Sequence, residues 1–164
     1  MKICERVTSA TLSLLWRCSS LSYRNTARTD TLRPLIRRFP YWTTGHRLLA
    51  EESLQHDNVT CAYASALCML ALDSTQAHTS TQAHFILGRC YLRRGDWATA
   101  HSYLAQALRL SPANTAILEE DAAALVLGGE LHQARTILER IPEDRLSPAG
   151  KAARAFLRSK VEMK

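Results

Sequence analysis

One stretch of the sequence constrains the fold more than any other: residues 84–112, which read HFILGRCYLRRGDWATAHSYLAQALRLSP. Apolar residues recur there with the period of an amphipathic helix, both before and after the tripeptide Arg94-Gly95-Asp96. This pattern predicts one helix over residues 82–93 and a second over residues 97–110. Gly95 suits a left-handed position at the end of the first helix, and Asp96 suits the N-cap of the second.

A glycine stands inside the first of these helices, at Gly88, where it costs about 1 kcal/mol relative to alanine. Ala100 is a second small residue, in the helix that follows. We therefore expect the two helices to approach closely at Gly88 and Ala100. Four larger side chains are predicted to close this contact: Leu87, Tyr91, Leu104 and Leu108.

The order of small, aromatic and proline positions in this stretch resembles the tetratricopeptide repeat, a pair of helices recurring about every 34 residues. Counted from His84, the matching residues are Leu87, Gly88, Tyr91, Gly95, Trp97, Ala100, Ala107, Leu108 and Pro112. The resemblance implies an all-α fold, in which antiparallel helix pairs stack in a right-handed superhelix, an α-solenoid.

The same phase finds weaker units on both sides of the strong unit, which spans residues 81–112. We predict a weak unit over 43–74 and a shortened unit over 115–142, so that the repeats together cover 43–142. The loop between the weak and the strong unit is predicted in the polar tract DSTQAHTSTQAH, residues 73–84. Asp121 departs from the pattern, because it stands where the strong unit has a leucine.

Both ends are predicted to be helical. Residues 1–42 are interpreted as degenerate basic helices, and residues 147–164 as a capping helix opened by a Ser-Pro pair. In that cap, the apolar stripe is predicted to hold Ala153, Phe156, Leu157 and Val161. The side chains predicted to face water are Arg154, Arg158, Lys160 and Lys164.

The net charge of +6 comes from the N-terminal part of the chain. Residues 1–47 hold nine basic and two acidic residues, whereas residues 48–164 hold twelve basic and thirteen acidic residues. Either the arginines form a solvated face, or they contact an anionic membrane, nucleic acid or an acidic partner. We favour the solvated face, because the arginines are spread out and no nucleic-acid motif accompanies them.

Five cysteines without a CxxC pair argue against a disulfide framework and a zinc site. They favour a reducing compartment, so we expect a cytoplasmic protein with Cys61 and Cys68 in its core. No run of 18 apolar residues is present, which argues against a transmembrane helix. The acid-poor N-terminal segment has some character of a transit peptide, which ordinary N-terminal helices share.

Catalytic signatures are absent from the sequence, which contains no HExxH, GxSxG, GxGxxG or Walker motif. His78 and His84 lack further ligands at a useful spacing, and His84 suits a helix-packing position. Glu119, Glu120 and Asp121 are interpreted as a solvated helix start, since adjacent helical residues point in different directions. We expect no enzyme, no metal, no cofactor and no small-molecule substrate.

Binding is what the repeat resemblance implies instead, on a concave face lined by the first helix of each pair. The residues implied there are Arg47, Glu51, Leu54, Phe85, Arg89, Leu92, Arg93, Glu119, Ala123 and Val126. Arg89 and Arg93 lie one turn apart beside Phe85, an arrangement suited to a carboxylate or an acidic segment. The equal alternative is that both arginines are solvated and Phe85 packs on the next unit.

The chaperone-binding variety of this repeat requires lysines and asparagines on successive first helices. The corresponding residues here are Arg47, Glu51, Gln82, Ile86, Glu119 and Glu120, so we do not expect heat-shock chaperone tails to bind. The sequence predicts a non-enzymatic adaptor or scaffold that binds a peptide or protein segment. The alternatives are self-association, and peripheral attachment of the basic N-terminal part to a membrane or nucleic acid.

Overall fold

The computed structural model describes residues 27–161, and the helices predicted before residue 27 lie outside this range. Eight α-helices occur in it: α1 (Ala27–Arg38), α2 (Thr43–Gln55), α3 (Val59–Asp73), α4 (Ala77–Arg93), α5 (Trp97–Leu110), α6 (Thr115–Leu127), α7 (Leu131–Glu139) and α8 (Pro148–Val161). A single turn of 3-10 helix, Glu143–Arg145, precedes α8. Each helix packs mainly on the next. The prediction of an all-α fold built from consecutive antiparallel helices is confirmed.

Helices that begin successive pairs also touch one another, so that they form one side of the array. α2 contacts α4, and α4 contacts α6, in addition to the contacts between neighbours along the chain. α4 therefore packs against α2, α3, α5 and α6 and is the central helix of the described residues. None of the helices in residues 27–161 is long and apolar enough to cross a bilayer.

The turns inside the three pairs share one backbone feature, a left-handed residue that follows the C-cap of the first helix. Gly95 has φ +77° and Gly129 has φ +81°, while Asp57 takes this position in the first pair with φ +57°. Asp96 then caps α5, since its side chain accepts a hydrogen bond from the Thr99 N–H at 3.1 Å. The predicted turn chemistry at Gly95 and Asp96 and the helix over residues 97–110 are confirmed.

The close approach predicted at Gly88 is also confirmed, and the structure identifies its main cause. A Cβ added to Gly88 would lie 2.6 Å from Cγ of Leu104 and 3.4 Å from the carbonyl oxygen of Ala100. Leu104 and Ala100 are both completely buried. Gly88 thus makes room chiefly for the Leu104 side chain, and only secondarily for the backbone at Ala100.

The predicted loop over residues 73–84 is wrong for most of its length, because α4 already begins at Ala77. Polar side chains in this tract satisfy backbone groups locally, which lets it remain helical. The Thr81 hydroxyl donates to the Ala77 carbonyl at 2.7 Å, and the Ser80 hydroxyl donates to the Ser74 carbonyl at 3.0 Å. The connection between α3 and α4 is therefore shorter than composition suggested.

The capping helix begins after Ser147 as predicted, but two of its side chains exchange their predicted roles. Arg154 is buried, and its guanidinium donates to the carbonyl oxygens of Leu138 and Ile141 at the end of α7. Phe156 is 52% exposed, with the Lys160 ammonium over its ring. The reason is that the last carbonyls of a helix need donors, which an arginine supplies and a phenylalanine does not.

The rest of the cap and the cysteines follow the prediction. Leu157 is completely buried, and Arg158 is exposed beside Glu139. Lys164 and the side chain of Val161 lie outside the described part. Cys61 and Cys68 are buried free thiols in the core.

The corner between α1 and α2 is held by a buried histidine, His46. Its Nε2–H donates to the Pro40 carbonyl at 2.9 Å, which leaves Nδ1 buried without a hydrogen-bond partner in residues 27–161. Burial lowers the pKa of His46, while the bond to Pro40 acts in the opposite direction. The neutral imidazole is therefore the form that the folded chain prefers.

We predict that Gly88→Ala lowers the free energy of unfolding by about 1–2 kcal/mol, because the overlap with Leu104 outweighs the gain in helix propensity. Denaturant titration measures this change. Ser102→Ala, on the exposed face of α5, is the matched control, since it alters helix propensity without a clash. Equal stability of the two variants would contradict the close contact.

A second prediction concerns pH. Below the ordinary pKa of 6.5, the unfolded chain protonates residue 46 while the folded chain resists it, so stability falls as pH falls. The slope that His46 contributes reaches up to about 1.4 kcal/mol per pH unit. We expect His46→Gln, which keeps a donor for Pro40, to remove this component. Denaturation between about pH 7.5 and 5.5 measures it, and parallel profiles of the two proteins would refute the assignment.

Candidate binding groove

Two neighbouring cavities lie along the first helices of the pairs, and we refer to them together as the groove. The first has a volume of about 580 Å³ and lies between α2, α4 and the start of α6. The second has a volume of about 800 Å³ and lies between α4, α6 and α8. The walls of both include Phe85, Arg89 and Ala116. The two cavities therefore meet on the central helix.

The two halves of the groove differ in chemistry. The first cavity is rich in polar side chains, which include Glu51, Gln55, His78, Thr81, Gln82, Ser111 and Asn114. The second is lined mainly by small and aliphatic residues, which include Ala122, Ala123, Val126, Leu127, Leu138, Ala149, Gly150 and Ala153. Along the groove, a polar surface thus gives way to an apolar one.

Arg89 stands where the cavities meet and links two helix pairs. Its guanidinium carbon lies 5.7 Å from the centre of the Phe85 ring, and its Nε lies 3.3 Å from Oε1 of Glu120 on α6. Arg89 and Glu120 are both about one-third exposed. A partly exposed pair of this kind contributes little stability but orients the side chains. It holds the Arg89 guanidinium on the wall that the two cavities share.

Glu119 ties α6 to the start of α8. Its carboxylate accepts hydrogen bonds from the backbone N–H of Ser147, at 2.8 Å, and from the Ser147 hydroxyl. The Ser147 oxygen in turn accepts from the Gly150 N–H at 3.0 Å, as the N-cap of α8. Glu119 therefore shapes the second cavity by fixing the helix that forms its far wall.

Asp121 is the candidate residue whose observed environment differs most from the predicted one. It is only 2% exposed, and its carboxylate accepts a hydrogen bond from Nδ1 of His101 on α5 at 2.6 Å. Burial raises the pKa of Asp121, and the hydrogen bond and charge of His101 act in the opposite direction. The predicted solvated helix start is wrong, because Asp121 is buried and Glu119 is bonded to Ser147 at the start of α8. The sequence did contain a sign that position 121 is buried, because Asp121 stands where the strong unit has a leucine.

Comparison with known families adds an independent observation. The sequence model of the tetratricopeptide repeat matches residues 91–157, which run from the end of α4 into α8. Over these residues the chain is similar to the tetratricopeptide repeat. No curated protein and no solved structure matches the chain. The tetratricopeptide repeat is typically a protein-interaction scaffold without catalytic function.

The repeat brings together six of the residues predicted for its concave face. Glu51 and Phe85 line the first cavity, while Phe85, Arg89, Glu119 and Val126 line the second. Ala123, also predicted there, lines the second cavity.

Other predicted residues lie elsewhere in the repeat array. Leu92 packs against the core around Leu104, and the projection predicted for Leu54 is wrong, since it is buried. Arg47 pairs with Glu51 at 2.7 Å. Arg93 pairs with Asp57, in the turn of the preceding repeat, at 2.9 Å.

Arg89 and Arg93 therefore do not converge on one carboxylate. Arg89 reaches forward to Glu120, whereas Arg93 reaches back to Asp57. His84 is half-buried, donates from Nδ1 to the Ser80 carbonyl at 2.6 Å and lies beside the Tyr103 ring. Among residues 27–161, no three histidine, cysteine or acidic side chains gather into a metal-binding group.

We predict that His101→Ala lowers the free energy of unfolding by about 1–3 kcal/mol near neutral pH, because it leaves the Asp121 carboxylate buried without its partner. Asp121→Leu, which restores the residue type of the repeat, is expected to cost nothing or to stabilise. In the Asp121→Leu background, His101→Ala should lose its effect, as a double-mutant cycle by denaturant titration would show. Additive effects of the two substitutions would disprove the coupling.

Proposed function

We propose that this protein is a non-enzymatic adaptor that binds a peptide or protein segment in the groove along α2, α4, α6 and α8. The observation that carries the proposal is that the two cavities lie side by side and share Phe85, Arg89 and Ala116 in their walls. A single segment laid along the first helices contacts both cavities. The interaction scaffold matched over residues 91–157 supports the same role.

The charges of the groove indicate what kind of segment it accepts. Each of its three carboxylates already has a partner within the chain: Glu51 pairs with Arg47, Glu119 with Ser147, and Glu120 with Arg89. A partner that brought its own carboxylate to Arg89 would meet the like charge of Glu120, which already lies 3.3 Å from the Arg89 Nε. We therefore favour a segment that recognises the groove through apolar contact and neutral hydrogen bonds.

The two cavities set the order of chemistry along that segment. One or more aliphatic or aromatic side chains enter the second cavity, where alanines and Val126 offer an apolar wall with little steric bulk. Amide and hydroxyl groups face the first cavity, beside Gln55 and Gln82. A segment with an apolar end and a polar end matches both halves of the groove.

A reducing compartment such as the cytoplasm suits this adaptor. Cys68 and Cys90 are buried, and burial raises the pKa of the Cys68 thiol to about 12 and that of Cys90 to about 11. Thiols held protonated in this way are poor nucleophiles and act as small apolar side chains in the core.

Filling the second cavity tests the proposal. Ala123 is exposed on α6 and lines that cavity, so Ala123→Arg places a long side chain in it without disturbing the core. Ala152→Arg is the matched control, since Ala152 is exposed on α8 and does not line the groove. Quantitative affinity purification, followed by titration with peptides from a recovered partner, is the measurement. We expect Ala123→Arg to weaken binding at least tenfold and Ala152→Arg to leave it unchanged, each step of tenfold being about 1.4 kcal/mol.

Equal recovery with both variants would remove the groove from the proposal. Light scattering distinguishes a second copy of the chain as the occupant, because a dimer that reverts to a monomer in Ala123→Arg identifies self-association. Unchanged thermal unfolding of both variants is the control for folding.

A further inference from the structure

An exposed apolar corner lies at the junction of α1 and α2, away from the groove. Leu35 is 42% exposed, Phe39 54%, Tyr41 60% and Trp42 36%, all within the span 35–42. We call this span the aromatic corner. None of its residues lines either cavity. Four large apolar side chains exposed within so short a span are unusual for a surface that faces only water.

Basic residues surround the aromatic corner, and acidic residues are missing from it. Residues 31–50 contain four arginines and no aspartate or glutamate. Arg37 and Arg38 are exposed, and the Arg38 guanidinium lies 5.7 Å from the centre of the Phe39 ring. Each apolar side chain of the corner is thus close in sequence to the exposed positive charges of Arg37 and Arg38, whereas Arg47 is paired with Glu51.

The corner is held in shape by the helices beneath it. The Phe39 N–H donates to the Leu35 carbonyl at 2.8 Å, and the Trp42 N–H donates to the Phe39 carbonyl at 3.1 Å. The Trp42 ring lies directly against Gly45, where a Cβ would overlap it. Together with the bond from His46 to Pro40, these contacts fix the backbone that carries the apolar side chains, which lowers the ordering cost on binding.

We propose that the aromatic corner docks on the surface of an anionic phospholipid bilayer. Leu35 and Phe39 enter the outer acyl region, while Tyr41 and Trp42 lie at the level of the headgroups, where amphipathic rings are favoured. The arginines contact the anionic headgroups. The exposed aliphatic Leu35 favours a bilayer over single-stranded nucleic acid, which stacks on aromatic rings instead. This docking goes beyond the proposed adaptor function and leaves the groove open.

Vesicle binding by the full chain tests the proposal. The probes are vesicles of phosphatidylcholine alone and of phosphatidylcholine mixed with phosphatidylserine, measured by flotation. We expect the chain to bind the mixed vesicles and to be released by high salt. Arg37→Gln/Arg38→Gln should weaken partitioning about 25-fold, or about fivefold for each charge. Leu35→Ser/Phe39→Ser should weaken it at least about tenfold.

Phe156→Ser is the matched control, because Phe156 is similarly exposed and also carries a cation over its ring, but lies on α8. We expect it to bind vesicles like the wild type. Circular dichroism checks that every variant is folded, and the two double variants alter different chemistry. Failure of the wild type to bind mixed vesicles overturns the proposal. The proposal is also overturned if both corner variants bind the mixed vesicles as strongly as the wild type, or if the chain binds an RNA oligomer and not the vesicles.

Discussion

The packing of Leu104 into the space left by Gly88 is the contact on which the rest of the described structure depends. It fixes the distance between α4 and α5, and α4 is the helix that touches α2, α3, α5 and α6. Phe85 and Arg89 project from the same helix onto the wall shared by the two cavities. A missing side chain on one face of α4 therefore sets the position of the groove residues on another face.

Polar contacts join the helix pairs to one another, and three of them start from successive residues of α6. Glu119 bonds to the start of α8, Glu120 pairs with Arg89 on α4, and Asp121 accepts from His101 on α5. Successive residues of a helix point about 100° apart, which is why three adjacent acids reach three different helices. The directions in which these side chains point, as well as their charges, therefore decide which helices α6 is joined to.

The contrast between contacts within one helix pair and contacts between pairs explains which features could be predicted from the sequence. The turn at Gly95, the cap at Asp96 and the small residue at Gly88 depend on neighbours within one repeat, so a local pattern determines them. The partners of Asp121 and Arg154 come from other helices, at 20 and at 13 to 16 residues' distance. Composition could say that α8 is amphipathic, but only the carbonyls at the end of α7 decide that Arg154 is buried and Phe156 exposed. The repeat phase predicted six residues that line the groove, but it did not predict that Arg89 pairs with Glu120 and Arg93 with Asp57.

The wall shared by the two cavities has a thermodynamic consequence. Any ligand that moves Arg89 off Glu120 in one cavity changes the shape of the other, because the same side chain borders both. Two halves of one bound segment, or two separate ligands, then influence each other's affinity by an equal factor in both directions. Under the proposed binding mode, this one side chain would couple the two cavities without the movement of a helix.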